Sequence, residues 1–426
     1  MPAINGRVVA VGIPGASAIA PVGTFLPGSP INSNPVLAAF NQPGRVCDPT
    51  RILVGSRSNF GAPKANPDQA AGSFLSIDPG SAGLVVPGRF AASGGQASAL
   101  AGAVQLYSAQ SPDWHNGIYT PTAVTADQTA VANPLGMSIN NAFGRFWPAN
   151  APYGLDGPGS SSIADPDGRP LNNALNPSTG GVYFDDVTGR TPAQIVPGAI
   201  SRAAAGTALI GRSPDGSGRA VFAVVVADGS VVQEHTVKAL DGIAPPRTVH
   251  PLVHRSWGDA RGHRGQVSLP RLGVVMSYAP ELVLYVSQPF DDSIKVIKLT
   301  VGGPQGNEVF LPGGLRTIRS STFDQPVDLA PVRIETTHPD RASNTTLQPG
   351  SDFYVCNRGN DTIVRMRQDG SIVGVRRVRL GRHSLGVARL NGIATSTDGS
   401  RIWLTYVGAL PGSDDDQGGV LELPAF

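Results

Sequence analysis

Cysteine is nearly absent from this sequence, and the two that occur, Cys47 and Cys356, stand far apart in a chain of 426 residues. They form no C-x-x-C pair, haem-attachment motif or zinc spacing. Such cysteines usually end as small buried apolar residues, and a disulfide would need their Cα atoms within about 7 Å, so two free, buried thiols are expected. No apolar run approaches the roughly 18 residues that a membrane-spanning helix requires. The opening residues, MPAING, lack a basic segment leading into an apolar core, so no secretory signal is read in this sequence. Charge is scarce too. Charged residues are 15% and the net charge is +2, which leaves neither a nucleic-acid footprint nor an acidic tail. Long helical periodicity is missing. So are G-x-S-x-G, the phosphate-cradling Walker motif and a strand-bound G-x-G-x-x-G, which removes the common nucleophile and nucleotide signatures.

Turn residues are plentiful instead. The 53 glycines and 38 prolines punctuate the chain every few residues, as many short strands joined by tight turns require. The stretch 353–380, FYVCNRGNDTIVRMRQDGSIVGVRRVRL, shows the unit most clearly. An apolar run at 353–356 is followed by a polar turn at 357–361 and an alternating strand at 362–367. Asp369-Gly370, a dipeptide that tolerates positive φ, then turns the chain so that 372–380 pairs back on the strand before it.

Second strands of the same kind are read at 52–55, 104–107, 145–149, 220–226, 282–287, 353–356 and 402–407. Third strands are read at 74–78, 161–165, 293–299, 362–367 and 419–423. Their spacing of about 40 to 70 residues brackets a propeller blade with loop insertions. The expectation is an all-β chain forming a single closed β-propeller over residues 1–426, seven blades favoured and six the alternative. A strand near 7–13 would join the C-terminal blade and leave no open edge. Residues 245–270 read as a long inter-blade insertion.

The stretches LYVS…DSIKV at 284–296 and YVCN…DTIVR at 354–365 resemble the NHL-repeat and gluconolactonase-like superfamily of β-propellers, a likeness that speaks for fold more than for activity. It implies binding at one face, lined by the turns between second and third strands and by the connections between blades. Those turns carry Asn59, His115, Asn150, Gln288, Asp291, Asn357, Asp361 and 414–416. Singly, Asn and Asp satisfy turn geometry; as a set they would ring one mouth of the channel. The superfamily's lactonases hold a divalent cation with a Glu, Asn and Asp set, the Glu near the start of the first blade. This chain has no Glu before Glu234, and oxygen-ligated cations need anionic ligands. Asp328, Asn357 and Asn391 remain the metal candidates, with Asp328 the best single acid and Asn140 and Asn141 weaker.

His250, His254 and His263 fall in the 245–270 insertion among Arg255, Arg261 and Arg264, whose charge suits an anion better than a metal. His383 lies in a second inter-blade connection. Asn344-Thr345-Thr346 and Asn360-Asp361-Thr362 are glycosylation sequons in form. The function expected is binding of a small anionic ligand or a protein partner by a polar channel-mouth face comprising Asn59, His115, Asn150, Gln288, Asp328, Asn357, His383 and Asn391. The alternative is a metal-dependent lactonase or lyase on that face, with a divalent metal as its cofactor. The acid- and lysine-poor composition resembles exported, periplasmic proteins with the signal already removed; cytoplasmic residence stays open.

Overall fold

The computed structural model describes residues 1–13, 16 and 19–21, separate strands and turns between 52 and 239, and 273–426 apart from 290, 303–304, 306–308, 339–340, 342 and 413–417. All regular structure among the described residues is β. The insertion at 245–270, Cys47, and the third strand expected at 161–165 lie outside them.

Two strands, β1 (Ala3–Asn5) and β2 (Arg7–Val11), precede the first meander. That meander is antiparallel and comprises β3 (Ile19–Pro21), β4 (Ile52–Ser56), β5 (Ser73–Ile77) and, beyond the short strands β6 (Leu84–Val85), β7 (Ala92–Ser93) and β8 (Gln96–Ala97), β9 (Ala103–Ser108). The second runs β10 (Pro134–Asn140), β11 (Arg145–Asn150), β12 (Gly181–Val182). The third runs β13 (Ala204–Arg212), β14 (Ala220–Val226), β15 (Val231–Gln233), β16 (Lys238–Ala239). The fourth is β17 (Val274–Ser277), β18 (Val283–Gln288), β19 (Ser293–Gly302), β20 (Val309–Arg319).

In the fifth, β21 (Pro326–Pro331) reaches its partner β24 (Phe353–Asn357) through a long connection holding β22 (Ile334–Glu335) and β23 (Ser343–Leu347); β25 (Thr362–Met366), β26 (Ile372–Leu380) and the short β27 (His383–Ser384) follow. The sixth consists of β28 (Arg389–Thr395), β29 (Arg401–Val407) and β30 (Gly419–Pro424), and its fourth strand is β2, from the other end of the chain. The pairing of an N-terminal strand with the C-terminal sheet is as expected. The stretch 104–107 is a correction: it belongs to β9, the outer strand of the first meander, and not to a unit of its own. In sequence an outer strand and a second strand alternate alike, and only the pairing with β5 tells them apart.

The apolar runs form strands buried on both faces. In the fifth sheet Tyr354, Cys356, Ile363 and Val378 pack against the sixth sheet through Leu390, Leu404 and Leu421. Phe353, Val355, Val364 and Met366 turn the other way and pack on Val275, Tyr285 and Ile294 of the fourth. Period-2 alternation thus sends successive residues into two separate cores. Cys356 is buried in the first of them. At the turn that follows, Gly370 has φ +100°, Asp369 Oδ1 accepts the Ser371 amide at 2.8 Å, and Met366 pairs with Ile372.

The first strands of the meanders lie side by side in chain order: β3 against β10, then β13, β17, β21 and β28, with β28 against β3 again. Polar bonds lace them at close range. The Gly273 amide donates to Val327 O at 3.1 Å, the Ile393 amide to Asp328 Oδ2 at 2.7 Å, and Thr395 Oγ1 to Pro331 O at 2.6 Å. A Cβ on Gly273 would lie 2.2 Å from the Leu329 nitrogen, so this approach of β17 to β21 admits only glycine.

Val9 and Ala10 of β2 are fully buried. Removing residues 1–11 should therefore expose the β30 edge and lower the unfolding midpoint, and a synthetic peptide of residues 1–13 should restore it. An unchanged midpoint in the truncated chain would show that β2 contributes nothing to the sixth sheet.

Candidate functional site

The turns between second and third strands and the connections between sheets gather at one end of the fourth, fifth and sixth sheets. Two turns, 288–293 and 357–362, share a design in which an aspartate with left-handed φ precedes the third strand: Asp292 at +44° and Asp361 at +55°. Aspartate visits this region more easily than most residues because its short polar side chain can bond locally. Gln325, in the connection from the fourth sheet to the fifth, is also left-handed at +52°, and its amide donates to Asp292 Oδ1 at 2.7 Å.

Of the residues expected to form the face, Asp328, Asn357 and Asn391 come to this end buried and engaged. Asn357 Nδ2 donates to Thr322 O at 2.8 Å and to Thr362 Oγ1 at 2.9 Å. Its Oδ1 accepts the Asp324 amide at 3.4 Å, so it pins its own turn to the preceding connection. Gln288 is buried, with Nε2 on Ser287 O. Asp328 sits on the first strand β21 and receives the Ile393 amide of β28. Asn391 donates through Nδ2 to Ala16 O at 2.7 Å, and its Oδ1 accepts from the Arg358 guanidinium at 3.1 Å. The chain Arg358, Asn391, Ala16 therefore ties the fifth sheet's turn to the first strand of the sixth and to the segment leading into the first.

His383 stands apart, exposed on β27. Asn150 ends β11 opposite Pro134. Asn59 and His115 lie outside the described residues. Asn344 is 9% exposed, so its sequon is inside the folded chain.

Arg358 is not among the residues that the sequence singles out for this face. Arg358 is 6% exposed, a placement a guanidinium tolerates only when its donors are met. Between Asp369 and Asp398 the chain carries Arg376, Arg377, Arg379, Arg382 and Arg389 and no carboxylate, a bias that was open to inspection. Asp361 is the acid facing this group. Its Oδ2 lies 3.2 Å from Arg389, while its Oδ1 is buried with no hydrogen-bonding partner among the described residues. Burial pushes its carboxyl up to about 6, against the pull of Arg389, Arg358 and Arg377.

A metal fits this constellation poorly. Asn391 Oδ1 already faces a guanidinium, whose charge opposes a second cation. Among the described residues no three His, Cys, Asp or Glu side chains converge as a ligand set.

A cleft of about 450 Å³ opens at the opposite end of the fourth sheet, lined by Glu281, Tyr285, Lys298, Arg316, Gln368 and Asp369 among others. Tyr285 and Arg316 there both donate to Gln368 O, at 3.1 and 2.9 Å. This cleft is remote from the polar turns, and its charges balance in sign.

No family model matches the sequence, and no curated protein matches it. Among solved structures the chain is similar to the PQQ-bound form of aldose sugar dehydrogenase from Streptomyces coelicolor, at 12% identity over 100% of this chain and 99% of that one, TM-score 0.39. It is similar to virginiamycin B lyase from Staphylococcus aureus at 11% identity, over 72% of this chain and 69% of that one, TM-score 0.37. It is similar to regucalcin, a calcium-binding protein from Agrobacterium tumefaciens, at 13% identity, over 58% and 72%, TM-score 0.28. The class rests on the strand pairing: antiparallel meanders of the β-propeller type. In its repeating unit the chain resembles the gluconolactonase-like members of that class.

Asp361 gives a pH test. A carboxyl that holds its proton more tightly when folded than when unfolded, where it titrates near about 4, makes stability fall as pH rises between the two values. The wild-type chain should lose up to about 3 kcal/mol between roughly pH 4 and pH 7 from this group, and stay level above. Asp361→Asn, which keeps a side chain suited to left-handed φ, should flatten that part of the profile in denaturant titrations; superimposable profiles would refute the assignment.

Proposed function

We propose that the chain is a closed propeller of six sheets that binds a small anionic ligand at the end where Arg358 enters the space between the first strands. The ring reading is supported by the succession of first-strand contacts that returns from β28 to β3, and by the use of β2 as the outer strand of the last sheet. Six follows from assigning β9 to the first meander.

The ligand reading rests on one observation, the buried Arg358 guanidinium held on Asn391 and surrounded by further arginines with Asp361 as their acid neighbour. Guanidinium groups present a planar fork of donors that matches carboxylate and phosphate oxygens, and partial burial strengthens the attraction by lowering the local dielectric. The bonds that Asn391 makes on both sides hold the guanidinium in place before a ligand arrives, which reduces the entropy lost on binding. A sugar acid or other small carboxylate, with hydroxyls for the backbone groups of the turns, suits such a mouth.

Thermal denaturation against a panel of sugar acids, dicarboxylates and inorganic phosphate tests this. At a concentration 100 times its Kd a true ligand should add about 2.7 kcal/mol to stability, with an effect that weakens as salt is raised. Arg389→Gln, at a half-exposed position, should abolish the effect while leaving the unliganded midpoint within a few degrees. Stabilisation by neutral sugars alone, or equal response of Arg389→Gln, would overturn the anion reading.

A further inference from the structure

The connection between β21 and β24 is long, whereas β17 to β18 and β28 to β29 are joined by short turns. Its strand β23 does not extend the fifth sheet. It pairs with the first strands of two other sheets, Ser343 opposite Asn140 of β10 in antiparallel sense and Thr346 opposite Met276 of β17 in parallel sense. It also lies against β13 and β21. A segment in contact with the first strands of the second, third, fourth and fifth sheets can stand only near the axis those strands surround.

The burial agrees. All five residues of β23 are buried, although four of them, Ser343, Asn344, Thr345 and Thr346, are polar. Ser343 Oγ is shared between Asn344 Oδ1 at 3.3 Å and Thr345 Oγ1 at 3.0 Å. Thr346 Oγ1 has no hydrogen-bonding partner among the described residues. A Ser-Asn-Thr-Thr run has no reason to leave water unless the surrounding strands close over it.

The base of the connection is fastened. The Gln348 amide donates to Arg333 O at 3.0 Å, closing the loop at its neck. Glu335, with no exposed surface, receives the Tyr278 hydroxyl on Oε2 at 2.5 Å. Its Oε1 takes the Thr337 amide and hydroxyl and the His338 amide. The Tyr278 ring, on the turn between β17 and β18, is flanked by the His338 ring edge at 5.6 Å and by the Arg341 guanidinium at 4.5 Å.

We propose that β23 is an axial plug that closes the channel at the end opposite Arg358, held by the Tyr278–Glu335 bond as its latch. A ligand at the Arg358 mouth then has one way in, and release of the latch would open a second. The plug rests on the ring reading of the preceding subsection and needs no ligand for its test, so its failure is distinguishable from failure of the anion site.

The test is thiol accessibility in the full chain. Thr345→Cys should react with a small water-soluble maleimide on the order of 100-fold more slowly than Arg382→Cys on the exposed hairpin, with the parent chain as background. Adding Tyr278→Phe, or Glu335→Gln where the first proves too mild, should raise the Thr345→Cys rate about tenfold or more while the native Cys356 stays unreactive. Equal rates at Thr345→Cys and Arg382→Cys would remove the segment from the axis. Latch variants without effect, or variants in which Cys356 reacts together with Thr345→Cys, would overturn the latch, the second because the whole fold had opened.

Discussion

The fifth sheet of this protein has two apolar faces, and that constraint governs the packing around it. The fifth sheet places Tyr354 and Cys356 in one core and Phe353 and Val355 in another, so it needs a neighbour on both sides. Burying such side chains stabilises by roughly 1.5–3 kcal/mol each, and a meander left with one face open would forfeit half of that. A row of meanders always leaves two open faces; a ring leaves none. The proposed ring, in which the first strands pack in succession and return from β28 to β3, would satisfy this demand.

Packing first strands so closely brings backbone groups together that no sheet ladder pairs, and side chains meet them. Asp328 is the clearest case, a carboxylate with 1% exposure that receives an amide of the next sheet. A buried donor left unmatched would cost about 1–3 kcal/mol. The polar residues of the inner strands therefore act first as fasteners between sheets. Arg358 belongs to the same system through Asn391, and the proposed anion site is where that system reaches an end of the sheets.

What could be read from the sequence was local. The unit at 353–380 was legible because apolar runs, an Asn-Asp turn and an Asp-Gly turn specify three adjacent strands with no help from elsewhere. Asn357 and Asp361 were legible as turn residues for the same reason. The role of Asn391 was not, because its partner Ala16 lies 375 residues away and nothing in either neighbourhood announces the other. The strand 104–107 was given a unit of its own because strand order is a matter of pairing, not of composition. Asn344-Thr345-Thr346 reads in sequence only as a sequon, since polar residues bury only where other strands surround them, and those strands come from four different parts of the chain.

The central claim, that the sheets close into one ring, is tested most directly by small-angle X-ray scattering of the intact chain. A single compact body of this length should give a radius of gyration of about 22 Å and a distance distribution with one maximum. A radius above about 27 Å, well beyond that scaling for a compact body, or a distribution with two maxima, would mean separate lobes or an open row of sheets and would contradict the ring.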